Sequence, residues 1–318
     1  MTNLSRPHCL WLPTLVTVCC TAAPAMADSP EAERAQQIKA ALASPPKPPE
    51  HLKPLSVVLL ADEKDHGPAG NGAHDYPLWQ KRWALLLGGK KASTEQQVNL
   101  AGPAIDDPAQ FQGAPGVTVQ TAQRWPSEEQ FQKADVIVAY CYLLWTPERR
   151  EQLRRYLEKG GGLVVIHAAT WTKPKPSEEV ADLLGVGGFR SWRHGTVRLE
   201  IKTESHSICR GLPRFVTLSD DEAYWPPAPA KQQMTVLAAV VAVNGSEQGF
   251  EKEGQPLFWS YSPGKGKVLG VVLGHAAKTF DDPFFRLLVL RGLAWAGGDF
   301  PYRLDNLALR GTGILLPR

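Results

Sequence analysis

Runs of apolar residues alternate with amphipathic segments in the first half of the chain. The runs LSVVLLA (55–61), DVIVAYCY (135–142) and LVVIHAA (163–169) predict strands covered on both faces. Between them, TPERREQLRRYLEKGGG (146–162) predicts a helix that begins at Thr-Pro and ends in glycines. The alternation favours an α/β fold, a doubly wound and mostly parallel sheet with helices on both faces. Further elements of this half are predicted at 77–89, 117–122 and 127–134.

The pattern of the second half is less regular. VRLEIKT (197–203) and MTVLAAVVAV (234–243) predict strands. PLFWSYSPGKGKVLGVVLGH (256–275) predicts a late β-hairpin that turns at its Pro-Gly-Lys-Gly segment. The segment DPFFRLLVLRGLAWAGG (282–298) is apolar on most sides, which is typical of a buried helix.

The ends of the chain differ from this central region. Residues 1–27 have the pattern of a secretory signal, with an early arginine, a short apolar core and Ala-Met-Ala. Residues 28–54 contain a polar helix pattern followed by SPPKPPEHLKP, and we expect a proline-rich tether. The folded domain is expected over 55–299, followed by a C-terminal tail, 300–318. An exported chain would be periplasmic or secreted, and no apolar run of about 18 residues predicts a transmembrane segment.

Charge and cysteine content narrow the class of protein. The 35 Lys and Arg residues nearly balance the 32 Asp and Glu residues, and no basic stripe with interleaved aromatic residues occurs. Nucleic acid is therefore not expected as a partner. Without residues 1–27 the chain would keep two cysteines, Cys141 and Cys209, which are too few for a disulfide framework. Whether they form one bridge, and the oligomeric state, stay open.

Histidines follow several predicted strands at the point where each strand ends. Ligands of open parallel sheets bind outside the carboxyl ends of strands, so we expect these side chains to meet at one edge. The four histidines are His66, His74, His167 and His275. Asp75 lies beside His74 in the loop after the first strand. Each residue also has an ordinary interpretation, as a solvated loop residue, a turn-stabilising Asp or a histidine bonded to a carbonyl.

Several separated blocks resemble the ThuA-like, trehalose-utilisation family. They are GGGLVVIHAA (160–169), DDEAY (220–224), FWSYSPGKGKVLGVVLGH (258–275) and RGLAWAGG (291–298), in this order. The earlier block HGPAGNGAHDYPLWQ (66–80) is similar to one branch of that family. The resemblance implies a flavodoxin-like fold related to that of class I glutamine amidotransferases, which agrees with the α/β pattern.

Glutaminase chemistry is nevertheless not expected. Amidotransferases place a nucleophilic cysteine on a glycine-flanked turn and activate it with a distant histidine. Here the corresponding strand ends in His167, and His275 has no matching nucleophile. Cys141 lies inside an apolar run without local glycines, which is typical of a packed thiol.

The resemblance implies chemistry beside a sugar carbonyl, because the family is associated with disaccharides oxidised to 3-keto sugars. A ketone at C3 acidifies the C2 proton. Once a base removes that proton, the C1 substituent can leave, and water can then add back. Such a lyase or hydrolase needs a base, for which we expect His167 and His275. The enolate oxygen needs a divalent metal ion or a protonated side chain, and His74 and His66 are candidate metal ligands. No other cofactor is indicated.

A second group of residues is expected to bind the carbohydrate. Its members are His66, Asp75, Tyr142, Asp221, Glu222 and Tyr224. A solvated acidic turn is the alternative for Asp221 and Glu222. Trp79, Trp171 and Trp225 could stack on sugar faces or pack in the core. The rival hypothesis for the whole chain is a non-catalytic module, a degenerate amidotransferase scaffold that binds sugar or docks to a partner.

Overall fold

The computed structural model describes most of the chain. The described residues are 29–43, 45–68, 70–243, 254–314 and 316. The expected signal segment, 1–27, lies outside the described residues.

Strands and helices alternate in the first half and strands dominate the second. The strands are β1 (Leu55–Ala61), β2 (Val117–Gln123), β3 (Val136–Ala139), β4 (Gly162–Ile166), β5 (Val186–Ile201), β6 (Phe215–Pro229), β7 (Thr235–Val243), β8 (Pro256–Tyr261) and β9 (Lys267–Val271). The α-helices are α1 (Pro30–Leu42), α2 (Tyr76–Gly88), α3 (Glu128–Lys133), α4 (Pro147–Glu158), α5 (Glu178–Leu184) and α6 (Pro283–Ala296). Short 3-10 helices include His167–Thr170 and Pro301–Leu307. None of the described helices is long and apolar enough to cross a membrane.

The described strands form one mixed sheet in the order β2-β1-β3-β4-β9-β8-β7-β5-β6. The four pairings from β2 to β9 are parallel and have the order of flavodoxin-like sheets. The four pairings from β9 to β6 are antiparallel. The α/β class is therefore confirmed, but the expected mostly parallel sheet is not. The short turn between β8 and β9 leaves no room for the crossover that a parallel pair requires, so the sheet continues as antiparallel strands.

The core lies around the parallel strands and the two most apolar helices. All residues of β3 and β4 are buried, as expected for strands covered on both faces. Helix α6 buries nearly every side chain against β4 and β9. Helix α2 places Trp79 and Trp83 wholly inside the core. Trp79 is therefore a packing residue, and the idea that it stacks on a sugar is wrong.

The helix of the expected tether packs against the domain. Ile38 and Ala41 of α1 are buried. Arg34 forms an ion pair with Asp282, the residue that caps α6. Arg291 of α6 donates a hydrogen bond to the carbonyl oxygen of Ala41 at 2.8 Å. This part of the segment 28–54 is thus a docked helix and not a free spacer.

The same arginine holds the C-terminal segment. Arg291 is 1% exposed and binds both carboxylate oxygens of Asp305, at distances of 2.8 to 3.2 Å. Leu304 and Leu307 of the adjoining 3-10 helix are fully buried. A two-pronged contact between guanidinium and carboxylate is among the stronger hydrogen-bonded pairs in proteins. It ties the predicted tail to α6.

Candidate functional site

Polar side chains from four parts of the chain meet beyond the carboxyl ends of β4 and β9. His74 comes from the loop before α2, His167 follows β4, His275 follows β9, and Glu222 lies on β6. One ring nitrogen of each histidine and one carboxylate oxygen of Glu222 all lie within 4.8 Å of one another. We call these four residues the His3Glu centre. The prediction that the strand-end histidines converge is borne out for three of the four, and the fourth, His66, borders the same group.

Two of these histidines have an uncommon backbone conformation. His74 has a φ of 48° and His167 a φ of 51°, in the left-handed region that residues other than glycine rarely adopt. Such conformations persist only where the surrounding contacts hold them, and they cluster at functional sites. His167 directly follows the buried strand β4 and is the first residue of a 3-10 helix. Two of the four residues of the His3Glu centre therefore have a backbone conformation that their surroundings must hold.

Contacts behind the rings fix how both histidines are oriented. His74 Nδ1 lies 2.7 Å from Asp65 Oδ1, and the Tyr76 hydroxyl donates to Asp65 Oδ2 at 2.8 Å. His167 Nδ1 donates to the carbonyl oxygen of Val272 at 2.7 Å. Their Nε2 atoms consequently point at each other, 2.9 Å apart. Outer contacts of this kind set the orientation and tautomer of histidines that bind metals.

The charges around His74 follow from burial and hydrogen bonding. Burial lowers the pKa of His74 to about 4, although its bond to Asp65 acts in the opposite direction. Burial would raise the pKa of Asp65, but the contacts with His74 and Tyr76 outweigh it and lower the value to about 2. At neutral pH Asp65 is therefore ionised and His74 is a neutral imidazole. Its Nδ1–H donates to Asp65, which leaves a lone pair on Nε2.

Glu222 provides the negative charge of the centre. Its side chain is 8% exposed, and Oε2 lies 3.3 Å from both His167 Nε2 and His275 Nδ1. Burial acts to raise the pKa of Glu222, but the neighbouring His167 and His275 hold it well below its usual range. A carboxylate that stays charged among imidazoles is a suitable ligand for a divalent cation. The acidic segment 219–225 is therefore not a solvated turn at this residue.

His194 is a site residue that the sequence did not indicate. Its Nε2 lies 3.2 Å from Glu222 Oε1. The two residues are directly opposite each other in the antiparallel pairing of β5 with β6. His194 does not follow a strand end, and only the register of those two long strands could have placed it here. That register is not readable from local sequence patterns.

A cavity of about 430 Å³ opens above the centre. Its lining residues are His66, His74, Tyr142, Trp171, Lys173, Trp192, His194, Glu222, Tyr224 and His275. The volume lies within the range of roughly 300–1,000 Å³ that small-molecule sites occupy. Among the predicted substrate residues, His66, Tyr142, Glu222 and Tyr224 line it. Lys173 and Trp192 were not predicted, since neither follows a strand end.

Two predicted substrate residues have structural contacts instead. Asp75 caps α2, and its carboxylate accepts a hydrogen bond from the Leu78 backbone N–H at 3.2 Å. Asp221 is 1% exposed and accepts from the backbone N–H groups of Gly274 and His275, at 3.1 and 2.9 Å. Neither lines the cavity. Asp221 thus positions the backbone that carries His275, and Asp75 positions the loop that carries His74.

The two cysteines of the described chain are not suited to act as nucleophiles. Cys141 and Cys209 are both buried and free, so the two cysteines of the described chain form no disulfide. Burial raises the pKa of the Cys141 thiol to about 12. Because the thiolate is the reactive species, such a thiol is inert near neutral pH. This agrees with the expectation that glutaminase chemistry is absent.

Comparisons with known proteins agree with this architecture. A ThuA-like protein from Bacteroides uniformis superimposes with a TM-score of 0.55 at 18% identity, over 80% of this chain and 95% of its own. A ThuA-like protein from Parabacteroides merdae gives a TM-score of 0.51 at 18% identity, over 77% and 90% of the two chains. These similarities establish a shared fold. A comparison with curated protein sequences gives no match.

The sequence also matches a family model directly. The model of the family described as ThuA, trehalose utilisation, matches residues 84–296. This range is about two thirds of the 318 residues and includes three of the four residues of the His3Glu centre. The chain therefore belongs to the ThuA, trehalose-utilisation, family.

Proposed function

We propose that this chain is a metal-dependent enzyme that cleaves a glycoside or disaccharide oxidised to the 3-keto sugar. The observation that carries the proposal is the His3Glu centre at the floor of the cavity. The family membership supports a carbohydrate as the substrate. A centre that combines imidazoles with a carboxylate suits a first-row divalent metal ion such as zinc.

The tautomers of the histidines favour a metal ion at this position. His167 Nδ1 must carry the hydrogen that Val272 accepts, and His74 Nδ1 donates to Asp65, so both Nε2 atoms present lone pairs. The Tyr224 hydroxyl lies 2.9 Å from His167 Nε2 and can donate a hydrogen bond to only one of these two lone pairs. His275 Nδ1 is buried and lies 3.3 Å from Glu222 Oε2, a contact without good hydrogen-bond geometry. A divalent cation held by His74, His167, His275 and Glu222 would give each of these groups a partner.

These contacts change the roles that the sequence suggested for two histidines. His167 is fully buried, does not line the cavity, and points Nε2 at His74 Nε2, so it cannot reach a substrate as a base. His275 faces Glu222 in the same cluster. We assign both residues to metal binding together with His74 and Glu222. The ion would polarise the ketone oxygen and stabilise the negative charge of the enolate.

Proton transfer then falls to two histidines that are partly exposed in the cavity. His66 Nδ1 lies 3.1 Å from the ionised Asp65, which orients the ring and leaves Nε2 as a proton acceptor. The side chain of His66 is 50% exposed, and that of His194 is 45% exposed. Histidine is the side chain best suited to general acid–base catalysis near neutral pH. We assign the base to His66 and the acid to His194.

His66 and His194 account for the proton transfers of the proposed reaction. His66 takes the C2 proton of the 3-keto sugar, and the electron pair of the C2–H bond forms the enolate. The C1–O bond then breaks, its electron pair leaves with the departing oxygen, and His194 protonates that oxygen. The product is an unsaturated ketone. Addition of water, with a hydroxyl at C1 and a proton at C2, completes a net hydrolysis.

A turnover assay tests the proposal. The purified chain is incubated with methyl α-glucoside and trehalose, each oxidised at C3, and with the two unoxidised parent sugars. We expect cleavage of the oxidised sugars alone, because only they have an acidic C2 proton. Cleavage of oxidised and unoxidised sugars at similar rates would contradict the mechanism. Binding of the sugars without turnover would favour the non-catalytic sugar-binding module instead.

We also propose that the enzyme works in the periplasm or outside the cell. The proposal rests on the signal-like pattern of residues 1–27. N-terminal sequencing of the chain expressed from the full reading frame tests it. We expect a mature protein that begins near Asp28. A cytoplasmic chain that retains residues 1–27 would contradict the proposal.

A further inference from the structure

Within the proposed function, we propose that Trp192 is the stacking platform for the second sugar ring of the substrate. Trp192 would then be a specificity residue that favours disaccharides over glycosides with a small leaving group. The inference goes beyond the chemistry at the His3Glu centre, because it concerns the part of the substrate that departs.

Trp192 lies at the outer end of a row of rings that starts at the centre. The ring centroids of His275 and His194 are 4.5 Å apart, and those of His194 and Trp192 are 5.2 Å apart. His194 and Trp192 are two residues apart on β5, so their side chains lie on the same face of the strand. Both line the cavity. A ligand that reaches the centre and extends outward along this face therefore meets the indole.

The exposure of Trp192 is high for a residue of this size. Trp192 is 57% exposed, whereas Trp171 on the same cavity is partly buried against Tyr224 and Phe189. Single exposed hydrophobic residues are common and need no explanation by themselves. Trp192 differs from such residues because it also lies beside a cavity with a polar floor.

Other exposed hydrophobic residues of the described chain lack this combination. Phe215, 38% exposed, is covered by the guanidinium groups of Arg198 and Arg214, at 4.4 and 5.1 Å from its ring centroid. Leu52 and Leu144, 40% and 68% exposed, do not line the cavity. Trp192 alone among these four combines exposure with a place on the cavity wall.

Other residues that line the cavity are suited to the oxidised ring. Tyr142 and Tyr224 line the cavity near the centre, and the Tyr224 hydroxyl touches His167 Nε2. The Lys173 ammonium lies 3.6 Å from the centroid of the Tyr142 ring, where it can donate to sugar hydroxyls. Polar donors beside the centre and a bare aromatic face farther out match a glycoside whose inner ring reacts and whose outer ring stacks.

Steady-state kinetics on two substrates test the inference. The substrates are trehalose and methyl α-glucoside, each oxidised at C3, and the variants are Trp192→Ala and Trp192→Phe. Phe215→Ala serves as the matched control, since it removes an exposed aromatic residue from the same two-stranded segment. We expect Trp192→Ala to raise KM for the disaccharide about tenfold, with kcat and both constants for the methyl glycoside unchanged. Trp192→Phe should keep most of the affinity, and Phe215→Ala should match the unsubstituted enzyme.

The outcomes separate this inference from the proposed function. An equal loss on both substrates, or no loss on either, would overturn the platform. If the unsubstituted enzyme cleaves neither sugar, the proposed reaction fails, and calorimetric titration with unoxidised trehalose decides the role of Trp192. Weaker binding by Trp192→Ala than by Phe215→Ala would then support the platform. Equal binding by both variants, or no binding by any chain, would overturn it.

Discussion

His74 and His167, 93 positions apart in the chain, face each other through Nε2 atoms that are 2.9 Å apart. Each ring is held from behind, His74 by Asp65 and His167 by the Val272 carbonyl. The two acceptor atoms are therefore forced together. A buried pair of lone pairs is unfavourable unless a cation or a proton lies between them. We propose that a divalent cation held by the His3Glu centre meets this requirement.

Asp65→Asn should weaken metal binding without unfolding the chain. The substitution removes the charge that orients His74 and keeps its Nε2 available. We expect a 10- to 100-fold loss of metal affinity, the usual effect of removing a group that positions a metal-binding histidine. Competition with a chromophoric chelator measures the affinity. Asp62→Asn is the control, because Asp62 pairs with Arg124 and does not line the cavity. Equal affinities for the two variants would contradict the positioning role.

Glu222→Gln should abolish turnover. The variant keeps the size of the side chain but loses the charge that faces His167, His275 and His194. We expect kcat to fall about 100-fold or more, because a neutral amide neither neutralises the cation nor supports His194 as an acid. Asp220→Asn is the control, since the neighbouring Asp220 is largely exposed and pairs with Lys278. Turnover by Glu222→Gln equal to that of Asp220→Asn would rule out the assigned role.

His66→Ala should remove the base while leaving the fold intact. The half-exposed side chain buries little, so its loss should cost under about 1 kcal/mol of stability. Loss of the base should lower kcat about 100-fold or more. Exchange of the substrate C2 proton with deuterated water, followed by NMR, reports the step directly. His51→Ala removes an exposed histidine outside the cavity and should exchange normally. Undiminished exchange in His66→Ala would assign the base to another residue.

Cys141→Ala should leave sugar cleavage unchanged. The thiol is buried, and its pKa is raised to about 12, so it takes no part in chemistry near neutral pH. For the same reason we expect the unsubstituted chain to release no ammonia from glutamine. A coupled ammonia assay beside the sugar assay checks both statements. Glutamine hydrolysis that is lost in Cys141→Ala would show an amidotransferase-like nucleophile after all.

Local patterns predicted the parallel half of the sheet and much of the site. The apolar runs of β1 and β4 and the capped helix α4 are determined by short-range features, and the strand-end rule placed His74, His167 and His275 together. Local patterns did not predict the strands that pair with distant parts of the chain. Strand β5 runs from Val186 to Ile201, but its first part contains glycines, charged residues and a bulge. Apolar and polar residues therefore do not alternate there as they do in a regular strand.

Residues that depend on that pairing were missed for the same reason. His194 and Trp192 join the site only because β5 lies beside β6 in one register. The docking of α1 likewise depends on Arg34 and Arg291 meeting partners from distant parts of the chain. Such contacts leave no periodic signal in the sequence. Register and tertiary contacts thus set the limit of what the sequence alone could predict here.

Metal content tests the central claim most directly. The unsubstituted chain, His167→Gln, His275→Ala and the control Asp220→Asn are dialysed against zinc and then against buffer, and bound metal is measured by inductively coupled plasma mass spectrometry. Circular dichroism confirms that each chain is folded. We expect about one zinc ion per chain in the unsubstituted protein and in Asp220→Asn, and under about a tenth of that in the two histidine variants. Zinc bound equally by all four chains, or by none of them, would contradict a metal at the His3Glu centre.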